Sequence, residues 1–223
     1  MSVRPAAVIF DLDGTLLDTL ADIAAAANEV LQSLAYPSHD IEQYRLLVGS
    51  GVRRLFARAL PSEAVNDALL DQCGARFREA YERQWNVRTR VYDGIPELLD
   101  ALQQRGLPMA ILSNKPHEYT CRCTEHYLSR WPFPIVLGQR DGIPRKPDPA
   151  AAFEILEQLA VPAPQCFYLG DSDVDMRTAI AAGLFPIGVL WGFRAADELT
   201  RSGARTLISH PLELLDLLPP ISE

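Results

Sequence analysis

Two aspartates near the start of the chain stand two residues apart, directly after an apolar run. The run Ala6–Phe10 has the length of a strand, and Asp11 and Asp13 follow it, ahead of a glycine and a threonine. Side chains two positions apart in a strand share a face, so both carboxylates can converge at the strand's carboxyl end, where parallel sheets bind ligands. Two carboxylates held together repel unless one is protonated or a cation lies between them. The pair therefore predicts a metal site, a shared proton or both.

A second acidic cluster lies far along the chain, after another apolar run. Cys166–Leu169 has the length and composition of a buried strand, and three aspartates follow it, at 171, 173 and 175. The helix dipole favours carboxylates at a helix N-terminus, which would account for one of these acids. It does not account for a second acidic group at a strand end parallel to the first. We therefore predict that Asp171 and Asp175 belong to the same site as the first pair, and that Asp173 is an N-cap.

Polar residues also follow the predicted strand Pro108–Leu112. Ser113 and Asn114 supply a hydroxyl and an amide donor, which suit a phosphoryl oxygen, although Ser-Asn after a strand is also common in ordinary turns. The chain has only two lysines against nineteen arginines, and both of them, Lys115 and Lys146, lie in candidate active-site loops. Pro147 and Pro149 lie close after Lys146 and stiffen the backbone there.

The segment Asp11-Leu12-Asp13-Gly14-Thr15 resembles the first motif of the haloacid dehalogenase-like hydrolases, whose phosphatase members use the first aspartate as nucleophile and the second as general acid/base. The segment Gly170–Asp175 resembles this family's fourth motif, Gly-Asp-x-x-x-Asp, and Lys146 stands where the third motif has its cation. The resemblance covers essentially the whole chain. It implies a phosphatase that uses Mg²⁺ as cofactor and acts on a small phosphorylated metabolite.

The same resemblance implies a role for each matching residue. Asp11 would attack phosphorus and form an aspartyl-phosphate, while Asp13 would protonate the leaving oxygen and later activate water. Lys146 would offset the negative charge of the phosphate. Asp171 would bind Mg²⁺ with Asp11 and the backbone carbonyl of Asp13, a set of hard oxygen ligands that suits this ion. Asp175 would lie behind these ligands and orient Lys146 or the metal's waters.

The order of predicted elements indicates an α/β protein. Residues 18–84 contain helical patterns and no strand candidate, whereas helices and strands alternate after residue 94, which is typical of a doubly wound parallel sheet. The resemblance implies the same arrangement, a Rossmann-like core with an all-helical cap inserted after the first motif. We predict a core formed by residues 1–16 and 88–223, and a cap formed by residues 17–87.

The helices and strands that position the candidate residues can be predicted individually from periodicity and breakers. The predicted helices are 18–34, 38–47 with Ser38 as a cap, 52–60, one from Ser62 to Gln84, 96–105, 118–128, 146–159, one that ends at Gly183, 196–201, and one that starts at Pro211. The predicted strands after the first are 108–112, 135–137, 166–169, 185–190 and 206–208.

One stretch of the predicted cap resembles a segment of phosphoglycolate phosphatases, Gly-x-Gly-x-x-x-Leu-x-x-Arg-Ala-Leu. Here it begins at Gly49 and Gly51 and contains Arg54 and Arg58, which share a helix face. If that face meets the substrate, an arginine could bind a carboxylate bidentately. The alternative is that both arginines lie on a solvated helix face. We take phosphoglycolate as the best single substrate prediction.

Composition narrows the class of protein. The net charge of −8 argues against binding to nucleic acid. The four cysteines lack the spacing of a zinc site or a disulfide framework, no apolar run is long enough to span a membrane, and the first residues lack the apolar core of a signal peptide. We therefore expect a cytoplasmic protein, without a nucleic-acid or membrane partner, that is a monomer or a homodimer.

Several other functions are compatible with the same fold. A β-phosphoglucomutase-like phosphosugar mutase or a sugar-phosphate phosphatase would use the same acids. A haloacid dehalogenase would not need Asp13, Asp171 and Asp175, and a non-catalytic binding module would be expected to lose at least one of them. A phosphonatase needs a cap lysine, and residues 15–86 contain none.

Overall fold

The computed structural model describes residues 5–219. The chain divides into two compact units, one formed by residues 1–17 with 91–223 and the other by residues 18–90. The second boundary lies three residues later than the predicted one. Its physical cause is Asp22, whose buried carboxylate accepts hydrogen bonds from the backbone N–H groups of Arg88 and Thr89, at 2.8–3.0 Å, and ties this segment to the helical unit.

A six-stranded sheet with parallel pairings lies at the centre of the first unit, in the order β5-β4-β1-β6-β7-β8. The chain builds outward from β1 on one side and then on the other, so the strand order reverses there. Open α/β sheets bind ligands at such a reversal, beyond the carboxyl ends of the strands. The strands are β1 (Ala7–Phe10), β4 (Met109–Pro116), β5 (Ile135–Gln139), β6 (Cys166–Gly170), β7 (Phe185–Val189) and β8 (Thr206–Ile208).

Two further short strands, β2 (Leu17–Asp18) and β3 (Arg90–Val91), pair as a separate two-stranded sheet. Each of these strands is two residues long, and a boundary between the two compact units falls between its two residues. The prediction of no strand between residues 18 and 84 is therefore wrong at Asp18 alone.

Helices flank the central sheet, as the alternation in the sequence predicts. All four residues of β1 are buried, and so are all five of β6, which explains why these strands have continuous apolar runs. The helices of this unit are α5 (Ile95–Gln104), α6 (His117–Leu128), α7 (Ala150–Leu159), α8 (Asp173–Ala181) and α9 (Ala196–Arg201), and a 3₁₀ helix spans Pro211–Leu217.

The second unit is helical. Its elements are α1 (Leu20–Ser33), α2 (Ile41–Leu47), α3 (Val52–Ala59), a 3₁₀ turn at Ser62–Ala64, and α4 (Asp67–Gln84). Helices α1 and α3 both pack against α4. The stacked rings of Phe77 and Tyr81, and the edge of Phe56 against Phe77, lie in this small core.

Several element boundaries differ from the sequence prediction. Helix α7 begins at Ala150 and not at the predicted residue 146, because the segment with Pro149 precedes its first turn and Asp148 Oδ1 accepts the N–H of Ala150 at 2.9 Å. Helix α4 begins at Asp67, because Asn66 caps it by accepting a hydrogen bond from the N–H of Leu69 at 3.0 Å. Helix α2 begins after Asp40, while the predicted cap Ser38 lies outside it. Strand β4 continues to residue 116, past the predicted end at 112. The last helix is of the 3₁₀ type and ends where Leu218 becomes extended ahead of a proline.

Candidate active site

Parallel pairing brings the polar residues of three strands to one edge of the sheet. Phe10 of β1 pairs with Ile111 of β4 on one side and with Leu169 of β6 on the other. Asp11 and Asp171 therefore follow adjacent strand ends, and the N–H of Asp11 donates to the carbonyl of Leu169 at 2.9 Å. The site is thus fixed by β-sheet register.

Three buried carboxylates converge at this edge. Asp11, Asp171 and Asp175 each have an oxygen within 4.8 Å of the others. Asp175 is wholly enclosed, and Asp11 and Asp171 are nearly so. Among residues 5–219 this is the one group of three or more acids, histidines or cysteines arranged to hold a metal ion.

Lys146 is the cation inside the cluster. Its Nζ lies 2.9 Å from Asp11 Oδ1 and 2.7 Å from Asp175 Oδ1, and it also donates to the Leu112 carbonyl and the Tyr168 hydroxyl. Burial is the largest single influence on this lysine and lowers its pKa, but the charges of Asp11 and Asp175, together with the smaller effects of Tyr168 and of the hydrogen bond to Asp175, outweigh it and hold the pKa well above its usual value. Lys146 therefore stays protonated between two carboxylates.

Asp171 is held by a loop that the sequence analysis did not single out. Its Oδ2 accepts the backbone N–H of Phe193 at 2.8 Å, and its Oδ1 lies 3.5 Å from the hydroxyl of Thr15. A Cβ atom on Gly192, or on Gly14 with its φ of +88°, would overlap the Asp171 side chain. Gly192, which follows strand β7, is the sequence signal that could have indicated that the backbone here lies close to another side chain.

Asp175 is fixed by the start of α8. Its Oδ2 accepts hydrogen bonds from the N–H and the hydroxyl of Ser172, at 3.1 and 2.6 Å, and Ser172 is the N-cap of the helix. The prediction that Asp173 is the N-cap is wrong, because Ser172 precedes the first helical turn and occupies that position. Asp173 instead pairs with Arg177 one turn later, at 2.7 Å.

The charges of the cluster fit a divalent cation. Burial, followed by the negative charge of Asp175, raises the pKa of Asp11 to about 7, although Lys146 acts in the opposite direction. Burial, with the charges of Asp175 and Asp11 added to it, also raises the pKa of Asp171 well above its usual value. One buried ammonium is therefore insufficient for three buried carboxylates, and the oxygen donors are of the kind that hard cations prefer.

Known proteins resemble this chain over nearly its full length. The sequence model that describes the family of haloacid dehalogenase-like hydrolases matches residues 8–189 of this chain. The chain belongs to this family. A phosphoglycolate phosphatase of Pseudomonas savastanoi pv. phaseolicola is 34% identical over 216 residues, which cover 95% of this chain and 79% of the relative. A phosphoglycolate phosphatase of Vibrio parahaemolyticus is 33% identical over 218 residues, which cover 95% of each chain.

Solved structures agree with the family assignment. A crystal structure of a candidate phosphoglycolate phosphatase from Lactobacillus delbrueckii subsp. bulgaricus superimposes with a TM-score of 0.92 at 30% identity, over 98% of this chain and all of the other. The α/β fold predicted from the sequence is confirmed. This haloacid dehalogenase-like hydrolase is therefore an enzyme that resembles phosphoglycolate phosphatases.

Ser113 and Asn114 lie in β4 at the edge of the cluster, and both are buried. The amide Nδ2 of Asn114 donates to the carbonyl of Lys146 at 3.1 Å, so Asn114 positions the backbone of the buried lysine. The hydroxyl of Ser113 accepts the N–H of Lys115 at 3.3 Å. A direct contact of either residue with phosphate stays a prediction.

The remaining predicted residues lie in the helical unit. Gly49 and Gly51 both have a positive φ, of 101° and 86°, which accounts for glycine at these two positions. Arg58 donates to the Leu46 carbonyl at 3.1 Å. Arg54 is exposed and makes no ion pair within residues 5–219. Their role in substrate binding stays a prediction.

The second lysine of the chain is a site residue that the sequence analysis left without a role. The Nζ of Lys115 contacts both carboxylate oxygens of Asp13, at 2.9 and 3.2 Å. The position of Lys115 after Ser113 and Asn114, in a chain with only two lysines, is the signal that could have identified it. Asp13 therefore faces Lys115, whereas its neighbour Asp11 faces Lys146.

None of the helices in residues 5–219 combines the length and the apolar character that are needed to cross a bilayer.

Replacing Asp171 by Asn should stabilise the metal-free protein by about 1 kcal/mol while it abolishes activity, because the neutral amide removes repulsion among buried carboxylates. In the folded protein the pKa of Asp171 lies well above its ordinary value. The pKa of Asp11 is also raised, to about 7. Stability from these groups is therefore present at low pH and is lost as the pH rises through their folded-state pKa values.

Urea unfolding in chelator, measured for both proteins across pH 4 to 8, checks this expectation about Asp171. The gain from Asp171→Asn should be larger at pH 8 than at pH 4. Magnesium should raise the melting temperature of the wild type but not of the variant. Asp173→Asn, on the same helix, serves as the control and should show neither effect. A destabilised Asp171→Asn protein that still responds to magnesium would contradict the metal assignment.

Proposed function

We propose that this protein is a Mg²⁺-dependent phosphatase that hydrolyses a small phosphorylated metabolite through an aspartyl-phosphate on Asp11. The observation that carries the proposal is the convergence of Asp11, Asp171 and Asp175 around the ammonium of Lys146 at the strand ends. Membership of the haloacid dehalogenase-like hydrolases, and similarity to phosphoglycolate phosphatases, support it.

Asp11 and Asp171 would hold the ion, with the backbone carbonyl of Asp13 as a further oxygen donor. Asp175 is already shared between Lys146 and Ser172, so its proposed work is to orient its neighbours. When bound, Mg²⁺ supplies positive charge that lowers the repulsion between a carboxylate and a phosphate dianion.

Asp11 would act as the nucleophile. One of its oxygens attacks phosphorus in line, and a new O–P bond forms as the bond to the leaving oxygen breaks. Lys146 touches Asp11 Oδ1 in the structure, and the N–H of Leu12 donates to the same oxygen at 2.7 Å. These contacts hold the carboxylate in one orientation, which lowers the entropy that is lost in reaching the transition state.

Asp13 would carry the protons. It donates a proton to the leaving oxygen in the first half-reaction and then accepts one from the water that cleaves the aspartyl-phosphate, which releases inorganic phosphate and restores Asp11. Its side chain is 19% exposed, against 11% for Asp11, so it is the acid of this pair with better access to solvent. Proton exchange between turnovers needs such access.

We propose phosphoglycolate as the substrate. The names of the curated relatives support this choice. Arg54 and Arg58 of α3 support it as well, because neither forms an ion pair with a carboxylate in the part of the chain that the structure describes. The third arginine of that helix, Arg53, differs from these two because it is bound by the carboxylates of Asp67 and Asp71.

Ethyl phosphate is the matched comparison for phosphoglycolate, because it replaces the carboxylate of the substrate by a methyl group. With magnesium, kcat/KM should be higher for phosphoglycolate by about tenfold or more, and excess chelator should remove both activities. Arg54→Ala or Arg58→Ala should lower the ratio of the two kcat/KM values by about tenfold, whereas Arg53→Ala, the control on the same helix, should not.

A panel of phosphorylated metabolites assayed with the same protein decides among the alternatives. Faster turnover of a sugar phosphate would replace phosphoglycolate as the substrate, and conversion of glucose 1-phosphate to its isomer would make the protein a mutase. Hydrolysis that continues undiminished in chelator would overturn the mechanism itself.

A further inference from the structure

Both lysines of the chain are buried at one site. Lys146 and Lys115 are only 6% and 8% exposed, although the other nineteen basic residues are arginines. A buried ammonium loses its hydration, which costs several kcal/mol unless nearby charges compensate. Lysine is also the more strongly hydrated of the two basic side chains. Two such residues, one in strand β4 and one in the turn that precedes α7, therefore call for a reason beyond packing.

The two lysines have different surroundings. Lys146 lies between Asp11 and Asp175 and also donates to a hydroxyl and a carbonyl, so its three N–H groups face four acceptors. Lys115 contacts Asp13, whose side chain is the more exposed member of the first acidic pair. Lys146 is therefore committed to the nucleophile, whereas Lys115 lies beside the group that is proposed to meet the leaving oxygen.

This position selects a particular kind of substrate. In the proposed reaction Asp13 must come within hydrogen-bond reach of the leaving oxygen. The Lys115 ammonium lies 2.9 Å from Asp13, so it lies on the leaving-group side of the site. In a phosphorylated 2-hydroxy acid, one carbon separates the leaving oxygen from the carboxylate. The anionic group of such a substrate must therefore come to rest close to Lys115.

We propose that Lys115 binds the second anionic group of the substrate and is a specificity-determining residue for carboxylated phosphate esters; this inference rests on the proposed function. In the substrate-free protein the ammonium pairs with Asp13. When substrate binds, the ammonium contacts the substrate carboxylate as well as, or in place of, Asp13.

A purely structural role for Lys115 predicts a different pattern of effects. If Lys115 only held Asp13 in place, its loss would impair every phosphate ester alike, because Asp13 serves all of them. If it binds the second anion, its loss must act selectively on esters that carry one. The ratio of kcat/KM for phosphoglycolate to that for ethyl phosphate separates the two cases, since any general effect through Asp13 cancels in the ratio.

The test compares Lys115→Met, which keeps most of the unbranched side chain but not its charge, with Lys115→Arg, which keeps the charge. We expect the ratio to fall by about tenfold to a hundredfold in Lys115→Met, through KM more than kcat, and Lys115→Arg to recover at least part of it. A fall of less than about tenfold in Lys115→Met, or equal ratios in the two variants, overturns the proposal. Lys115→Gln replaces Lys115→Met if that variant does not fold by circular dichroism.

A binding measurement keeps this test separate from the proposed function. Asp11→Asn protein, which should not turn over, is titrated calorimetrically with phosphoglycolate and with ethyl phosphate in magnesium, with and without the added change Lys115→Met. A selective loss of phosphoglycolate affinity supports the role of Lys115 even if the wild type prefers another substrate. Equal affinities in the presence and absence of Lys115 overturn it even if phosphoglycolate proves to be the substrate.

Discussion

Asp11→Asn should lower kcat on phosphoglycolate by about 10⁴-fold or more, because the amide that replaces the carboxylate cannot act as the nucleophile and no other acid takes its place. The protein should stay folded. Asp11 is buried, and burial raises its pKa to about 7, so a neutral group of the same shape removes a charge that the fold accommodates at a cost.

Steady-state assays with magnesium, alongside thermal unfolding of the same samples, measure both parts of the expectation for Asp11. Asp173→Asn is the matched control, since it changes an acid next to the cluster that pairs with Arg177 on α8, and it should keep activity within about twofold. If Asp11→Asn retained more than one-tenth of wild-type activity, the nucleophile would have to be sought elsewhere.

Asp13→Asn should lower kcat by about 10²- to 10⁴-fold, which is the usual contribution of a positioned general acid or base. The loss should be greater for an alkyl ester such as phosphoglycolate than for an aryl phosphate, because an alkoxide leaves poorly without a proton. Substrate affinity should change less than kcat, since the proposed work of Asp13 is proton transfer.

The control for Asp13 is its ionic partner. Lys115→Met breaks the same ion pair but leaves the carboxylate in place, so it separates loss of the acid from loss of the pair. An Asp13→Asn protein with a less than tenfold loss on the alkyl ester, or with equal losses on both ester types, would show that Asp13 is not the proton carrier.

The sequence predicts the acidic strand ends well because the relevant forces are local. Asp11 and Asp171 each follow a short, continuous apolar run, and a fully buried parallel strand requires such a run. Strand β1 pairs in parallel with both β4 and β6, and this pairing alone places the two aspartates at the same edge of the sheet. The sequence of alternating elements was sufficient for the fold class, which the family match confirms.

The contacts between distant residues could not be predicted from the sequence. The hydrogen bond from Phe193 to Asp171 joins residues 22 positions apart, and the Lys115–Asp13 ion pair joins residues 102 positions apart. No local pattern encodes either one. Local competition caused the error at Asp173, since Ser172 and Asp173 are both good N-caps and only the reciprocal bond of Ser172 with Asp175 decides between them.

The most direct test of the central claim is the mass of the protein after rapid acid quench during turnover of phosphoglycolate with magnesium. The mechanism predicts that the wild type carries one phosphoryl group on the peptide that contains Asp11, and that Asp11→Asn protein carries none. A quenched wild-type protein with no phosphoryl group during rapid turnover, or with the group on a peptide that lacks Asp11, would contradict the mechanism.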